Sequence, residues 1–353
     1  MSAKILVLPG DGIGPEITAA TVQVLEHLNS DMQLGLEIEE QEIGLACLAR
    51  RGTTLRDETI AATKAADGVI LGPADTYAYP LVERGGVNPS ATIRRVLDLY
   101  ANIRPARAFD GVPAMGKNMD LVIVRENTEG FYADRSMHQG VGEFMPTPDL
   151  AMSVRKITRE GCTRIARSAF ELAMRRRKHV TMVHKANVLR VTDGLFIESV
   201  QAVAADYPSV TLDERLIDAM TAHLIRDPSQ FDVVVTTNMY GDILSDEAAE
   251  LAGGLGLGGS INAGEEHAVA QAAHGSAPDI AGQGKANPTA LLLSCAMLLG
   301  WLGGRLQDDE LNTASRRLEE AIGAALSHAH NHTPDLGGKN NTQGFANAVL
   351  AAL

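Results

Sequence analysis

The sequence predicts an α/β protein built on a mostly parallel sheet. Strand-like and helix-like segments alternate along its 353 residues, with no internal repeat or low-complexity linker, which is the signature of βαβ units. The run Phe231-Asp232-Val233-Val234-Val235-Thr236-Thr237 is β-branched and apolar throughout, as a strand covered on both faces requires. It leads into a turn, Asn238 to Ser245, and then a helical stretch, Asp246 to Leu251.

Taken in order, the first strand is Ile5–Leu8, followed by Gly10-Asp11-Gly12-Ile13-Gly14-Pro15 and a helical pattern over Pro15–Leu28. A dinucleotide fingerprint, G-x-G-x-x-G, wants its third glycine where Pro15 stands, and Gly14 arrives one residue early. The segment therefore reads as a tight βα turn with Pro15 at the first helical position. Gly68–Leu71, Asp120–Val124, Val180–Val183 and Asp232–Thr237 are the next strands, and Arg155–Arg176 and Gly194–Asp206 the next helices. The basic run Arg175-Arg176-Arg177-Lys178 suits a solvated helix C-terminus. No Pro/Gly/Ser-rich boundary splits the chain, so two domains would share a continuous sheet.

Composition excludes several classes. With 45% apolar and 21% charged residues the chain reads as soluble and globular. A net charge of −13 argues against a nucleic-acid partner. Cys47, Cys162 and Cys295 are odd in number and far apart, which suits a reducing cytoplasm rather than a disulfide framework. The chain enters its first strand with no cleavable apolar region before it. The apolar stretch Thr289–Leu302 is too short to span a bilayer and is expected as a core or interface helix, so no membrane partner is expected.

The chemistry gathers at a few places. Asp242 and Asp246, i and i+4, lie just past a strand's carboxyl end, where open α/β sheets hold their ligands. Two carboxylates one turn apart make half of a Mg²⁺ or Mn²⁺ site, or simply a cap and a solvated acid. Arg94, Arg104 and Arg125 have few acids at helical spacing. Guanidinium groups bind carboxylates bidentately, so the three suit a polycarboxylate substrate, or surface salt bridges. Tyr132 and Lys185 are the candidate acid and base. The glycine cluster Gly253–Ser260 brings backbone close to a ligand or to neighbouring backbone. His274-Gly275-Ser276-Ala277-Pro278-Asp279, with Asn287-Pro288 beyond, suits a ribose or adenine. His328, His330 and His332 alternate away from the acids and are left unassigned. No G-x-x-x-x-G-K-[ST] phosphate cradle occurs.

These segments together resemble the β-decarboxylating dehydrogenases of the isocitrate/3-isopropylmalate family. The similar stretches are Leu8–Glu16, Leu99–Pro105, Val124–Gly130, His184–Leu189, Asn238–Asp246 and His274–Gly282, in family order from Lys4 nearly to the C-terminus. The resemblance implies a two-domain α/β fold sharing a mostly parallel sheet, and not a Rossmann site. It implies a large cofactor-binding domain at 1–100 plus 255–353. A smaller domain, 101–254, would carry the metal and substrate residues and the dimer interface. It implies a divalent cation, Mg²⁺ or Mn²⁺, on Asp218, Asp242 and Asp246. Lys185 would be the base for the hydroxyl proton and Tyr132 the donor to the enol carbon after CO₂ leaves. Arg94, Arg104 and Arg125 would bind the departing carboxylate, with Asn187 also on the substrate. Lys185 and Asp218 would cross to the partner's site, so a homodimer is implied.

Ile13, His274, Gly275, Ser276, Ala277, Asp279 and Asn287 would bind the dinucleotide. Asp279 stands where relatives using NAD place an acid on the ribose diol, and a carboxylate there repels a 2′-phosphate; NAD is the expected cofactor. Gln271 departs from the Glu that many relatives carry near the nicotinamide ribose. Ser90 and Ala91 stand where isopropylmalate enzymes place leucines, while isocitrate enzymes use a Ser and an Asn for the γ-carboxylate, and Asn88 and Ser90 offer that chemistry in swapped order. Isocitrate or a close homologue is therefore the lead substrate. 3-Isopropylmalate, tartrate and D-malate are the alternatives, and a non-catalytic NAD-binding subunit is the alternative of a different class. Tyr132, Lys185 and the metal acids are all present, which favours an active enzyme.

Overall fold

All five strand runs form strands, and their central residues are buried, in the computed structural model, which describes residues 3–132 and 136–353. Two units separate by their internal contacts. One holds the chain up to Ile93 with Phe109–Ala114 and Gly253–Leu353; the other holds Arg94–Ala108 and Met115–Ala252.

The first unit opens with β1 (Lys4–Leu8), α1 (Gly14–Met32), β2 (Glu37–Glu40), α2 (Gly44–Arg51), α3 (Asp57–Ala65) and β3 (Gly68–Leu71). The helix α4 (Pro89–Val96) begins in this unit, and its residues from Arg94 onward belong to the second. β1 pairs in parallel with both β2 and β3. Pro15 lies in the first turn of α1, one residue after its start at Gly14, where a missing N–H has no intrahelical partner to lose.

The second unit runs β4 (Ala101–Arg107), β5 (Asp120–Glu126), the hairpin β6 (Glu143–Thr147) and β7 (Leu150–Ser153), then α5 (Arg159–Met174) and β8 (His179–His184). It continues with α6 (Thr192–Ala204), β9 (Thr211–Leu216), α7 (Ile217–Arg226), β10 (Val233–Thr236) and α8 (Asn238–Leu251). β4 is antiparallel to β5, whereas β5, β10, β8 and β9 pair in parallel in that order. The pleat sends alternate residues to opposite faces. Val122, Val124, Val233 and Val235 join one core with α5 and α6. Leu121, Ile123 and Val234 join another with α7 and α8. Each such side chain stabilises the fold by roughly 1.5–3 kcal/mol, which is why these strands carry no polar face.

Two expectations need correction here. The segment Asn238–Ser245 is not a turn before a helix; α8 is helical from Asn238 onward. The basic run is only partly a solvated helix end: Arg175, Arg177 and Lys178 are exposed, but Arg176 is half-buried. Arg176 donates to Asp232 at 2.7 Å and Asp120 at 2.9 Å, and Arg177 donates to the Asp120 and Phe231 carbonyls. Asp232 is buried at the start of β10, so these guanidinium groups balance a charge that would otherwise be costly.

The chain returns to the first unit with β11 (Ile261–Ala263), β12 (Ala268–Ala270), α9 (Thr289–Leu306), α10 (Asp309–Leu326) and α11 (Thr342–Ala352). β12 is parallel to β3 and antiparallel to β11. α9 is long and apolar enough to cross a membrane, and 61% of it is buried inside the fold, as in the core helix of a folded unit.

Candidate active site

In the second unit, α8 starts where β10 ends and carries Asp242 and Asp246 one turn apart. Arg125 on β5 and Arg104 on β4 reach them. Arg125 donates through Nε and Nη2 to Asn238 Oδ1, at 3.0 and 2.6 Å, and through Nη1 to Asp242. Arg104 donates to Asn102 at 2.6 Å, Ser245 at 2.8 Å and Asp246 at 3.2 Å, and lies 3.4 Å from Asp242. Gly241 permits this approach, because a Cβ there would sit 2.6 Å from Arg125 Cβ. The guanidinium groups are 8% and 3% exposed for Arg104 and Arg125, the carboxylates 36% and 52% for Asp242 and Asp246. Two buried cations thus hold two outward-facing acids. Burial pushes the Asp246 carboxyl above its ordinary range; Arg104 draws it down and Asp242 adds to the rise.

Lys185 and Asp218 form a second group. Lys185 Nζ donates to Asp218 Oδ1 at 2.7 Å, and that bond holds Asp218 below the usual carboxylate range. The Lys185 backbone N–H donates to Asp193, which is fully buried and also bound by Arg155. Among the described residues no three acids, histidines or cysteines converge as a metal site. Asp218 therefore stands apart from Asp242 and Asp246 within one chain. The donor chemistry of Asp242 and Asp246, hard carboxylate oxygens, still fits Mg²⁺ or Mn²⁺. Tyr132 and Arg94 are half-buried in the same unit, and Asn187 is exposed.

The first unit holds a pocket of about 550 Å³, lined among others by Ile13, His274, Gly275, Ala277 and Asn287. Five of the expected dinucleotide residues meet there. Ser276 acts from behind, its carbonyl accepting the Ile13 N–H at 2.8 Å. Gly12 makes that approach possible, since its φ is +59° and a Cβ would lie 1.9 Å from the Ser276 oxygen. Asp279 is exposed, one residue before the pocket-lining Ile280. His274 Nε2 is buried and has no hydrogen-bond partner among the described residues, the kind of atom a bound nucleotide would satisfy. Burial holds this imidazole below the ordinary histidine range, against the Gly275 carbonyl and Asp335.

Asn88 and Ser90 have other partners than expected. Asn88 Oδ1 accepts the Ala91 N–H at 3.0 Å and so caps α4, and Ser90 Oγ bonds Gln271 Oε1 at 3.1 Å. Ser90 and Arg94 lie one turn apart on α4. Sequence reasoning missed Asp193 and Arg155, whose partners are distant in sequence, and Lys285 and Asp335, which line the pocket. Asn102, Asn238 and Ser245 stood inside recognised segments, where a buried arginine needs neutral acceptors. The three alternating histidines take no part: His328 stacks on His330, and His332 bonds the Leu326 carbonyl.

A family profile described as isocitrate/isopropylmalate dehydrogenase matches residues 4–349. A 3-isopropylmalate dehydrogenase of Archaeoglobus fulgidus is 42% identical over 351 residues, covering 99% of both chains. An isocitrate/homoisocitrate dehydrogenase of Thermus thermophilus is 42% identical over 354 residues, covering 100% of this chain and 99% of its own. The crystal structure of isocitrate dehydrogenase from Methylococcus capsulatus superposes with a TM-score of 0.87 at 40% identity, covering 99% of each chain.

Proposed function

The chain belongs to the isocitrate/isopropylmalate dehydrogenase family, and we propose that it oxidises and decarboxylates a 3-carboxy-2-hydroxy acid with NAD and Mg²⁺ or Mn²⁺. Isocitrate or a close homologue is the lead substrate, and the cytoplasm the expected compartment. The observation that carries this reading is the set of two carboxylates on α8 backed by two buried arginines. Asp242 and Asp246, with Asp218 of a second copy, would hold the cation. When bound, the cation would supply Lewis acidity at the substrate hydroxyl, and the nicotinamide would accept the hydride. Lys185 would take the hydroxyl proton as the alcohol becomes a ketone. Arg94, Arg104 and Arg125 would grip the carboxylate lost as CO₂. Tyr132 would then return a proton to the carbon left behind.

A homodimer fits the separation of Asp218 from the α8 acids. Val188, Val191, Ile225 and Ile243 of the same unit are exposed, as is every residue of the β6–β7 hairpin, including Phe144, Met145, Leu150 and Met152. Exposed apolar surface of this extent marks association.

The substrate reading rests on Ser90 and Gln271. Either partner of their bond can carry the proton after the amide turns, so Ser90 can donate to a γ-carboxylate. A panel of 2-hydroxy acids with NAD and Mn²⁺, followed by absorbance of reduced cofactor, tests this. Ser90→Leu should lower isocitrate turnover, a charged hydrogen bond contributing about 1.5–3 kcal/mol. It should raise activity on alkyl-substituted malates by roughly 0.8 kcal/mol per buried CH₂. A parent protein that prefers 3-isopropylmalate overturns the isocitrate reading, and preference for D-malate or tartrate shows a pocket that is small rather than polar.

A further inference from the structure

The pocket-lining segment around Lys285 and Asn287 is held by two residues that do not line the pocket. Glu16, in the first turn of α1, accepts the Gly284 N–H at 3.0 Å through Oε2 and the Ala286 N–H at 3.3 Å through Oε1. Thr342, the first residue of α11 and 3% exposed, works on the carbonyls of the same two residues. Its N–H donates to the Gly284 carbonyl at 2.9 Å, and its hydroxyl to the Ala286 carbonyl at 2.6 Å. Both backbone polar groups of residues 284 and 286 are thereby taken up. Lys285, Ala286 and Asn287 line the pocket, so the clamp acts on Ala286 itself and on Gly284, just before the lining run. The start of α1 also holds the other end of this loop, through the Ile13 N–H and the Ser276 carbonyl.

We propose that Glu16 and Thr342 are positioning residues that clamp the backbone at Gly284 and Ala286, so that the pocket is preformed for the dinucleotide. This rests on the NAD reading. A loop that must order on binding weakens affinity by the ordering it requires, and a clamp made beforehand removes that penalty. It also gives a physical role to the end of the opening glycine-rich segment: its glutamate grips the nucleotide loop, and its glycines bring the chain close enough to do so.

The test uses the full-length protein and three variants, Thr342→Val, Thr342→Ser and Glu16→Gln. Binding of NAD and of NADP is measured by calorimetry, steady-state kinetics give KM and kcat, and hydrogen exchange reports the Gly284 and Ala286 amides without nucleotide. Thr342→Val, which loses the hydroxyl bond and keeps the backbone one, should raise the NAD Kd up to about tenfold, one hydrogen bond's worth. KM for NAD should rise in step and kcat change less. Thr342→Ser should restore binding, and Glu16→Gln should speed exchange at both amides. A Thr342→Val protein that melts earlier yet binds NAD as the parent does overturns the clamp, leaving Thr342 merely structural. A parent that binds NADP in place of NAD refutes the cofactor reading alone, and the same Kd ratio taken with NADP then decides the clamp. A parent that binds neither refutes both.

Discussion

In the first unit the candidate nucleotide pocket is lined mainly by backbone, apolar and amide groups, with one carboxylate, Asp335, and one ammonium, Lys285. In the second unit two nearly buried guanidinium groups face two carboxylates on one helix. The contrast follows from what each must hold. A dinucleotide is large, and most of its recognition can be spread over neutral contacts. A small polycarboxylate with a cation concentrates charge, and only fixed opposite charges in a partly dry setting hold it well. Single-charge changes should therefore act strongly in the second unit and weakly in the first.

The largest effect is expected at Asp242. Asp242→Asn removes one charge from the proposed cation site while keeping the side chain's shape. If the cation stabilises the reacting hydroxyl by several kcal/mol, kcat should fall on the order of a thousandfold. The far-ultraviolet dichroism should stay that of the parent. A variant that keeps its turnover after chelator treatment removes Asp242 from the cation site and leaves the two units no different in their response to charge.

Asp193 should come next, and its effect should appear in stability. It is fully buried, paired with Arg155, and accepts the Lys185 backbone N–H. Asp193→Ala leaves the Arg155 guanidinium, 7% exposed, without its counter-charge, a loss of about 3–5 kcal/mol. Denaturant unfolding should show it as a lower midpoint at unchanged slope. Loss of turnover beyond that explained by unfolded protein would show that Asp193 also positions Lys185. A stability within about 0.5 kcal/mol of the parent's, the scale of surface changes, would mean that Arg155 finds compensation in Thr192, Thr237 or the Tyr240 ring, which it also contacts.

The strands also differed in how far the sequence disclosed them. β5, β8 and β10 were legible because both of their faces are covered, so their apolar runs are unbroken. β2, β6, β7 and β9 were not, since they are short or exposed and carry polar residues such as Glu37, Glu143 and Asp213. The Asp242–Asp246 pair was legible because its geometry is local, one turn of one helix. Its buried arginines were named, but their neutral partners were not: Asn238 and Ser245 join arginines more than a hundred positions away, and Asn102, two residues from Arg104, gives no local sign of the contact. Asp335 reaches the pocket from far along the chain, and no local spacing announces it. Asn88 shows a role the sequence did not announce: its side-chain oxygen accepts the Ala91 N–H at the end of its own helix, which leaves its amide NH₂ as the group able to donate to a carboxylate.

The smallest effect is expected at His274, where the neutral character of the pocket becomes a dependence on pH. Burial lowers the folded-state pKa of this imidazole, while the Gly275 carbonyl and Asp335 oppose the shift without reversing it. In the unfolded chain the side chain titrates near its ordinary value of about 6.5. Below that value the unfolded state binds the proton first, so it gains protons that the folded state refuses. Stability must then fall as pH drops from about 6.5 toward the lowered folded pKa, and be fully present above 6.5. The comparison is made with His274→Gln, which cannot titrate. Urea midpoints measured at pH 7.5, 6.5 and 5.5 should decline less in the variant than in the parent. Parallel curves would mean that the imidazole protonates as readily in the folded protein as out of it, and the pocket would then tolerate a charge as the second unit does.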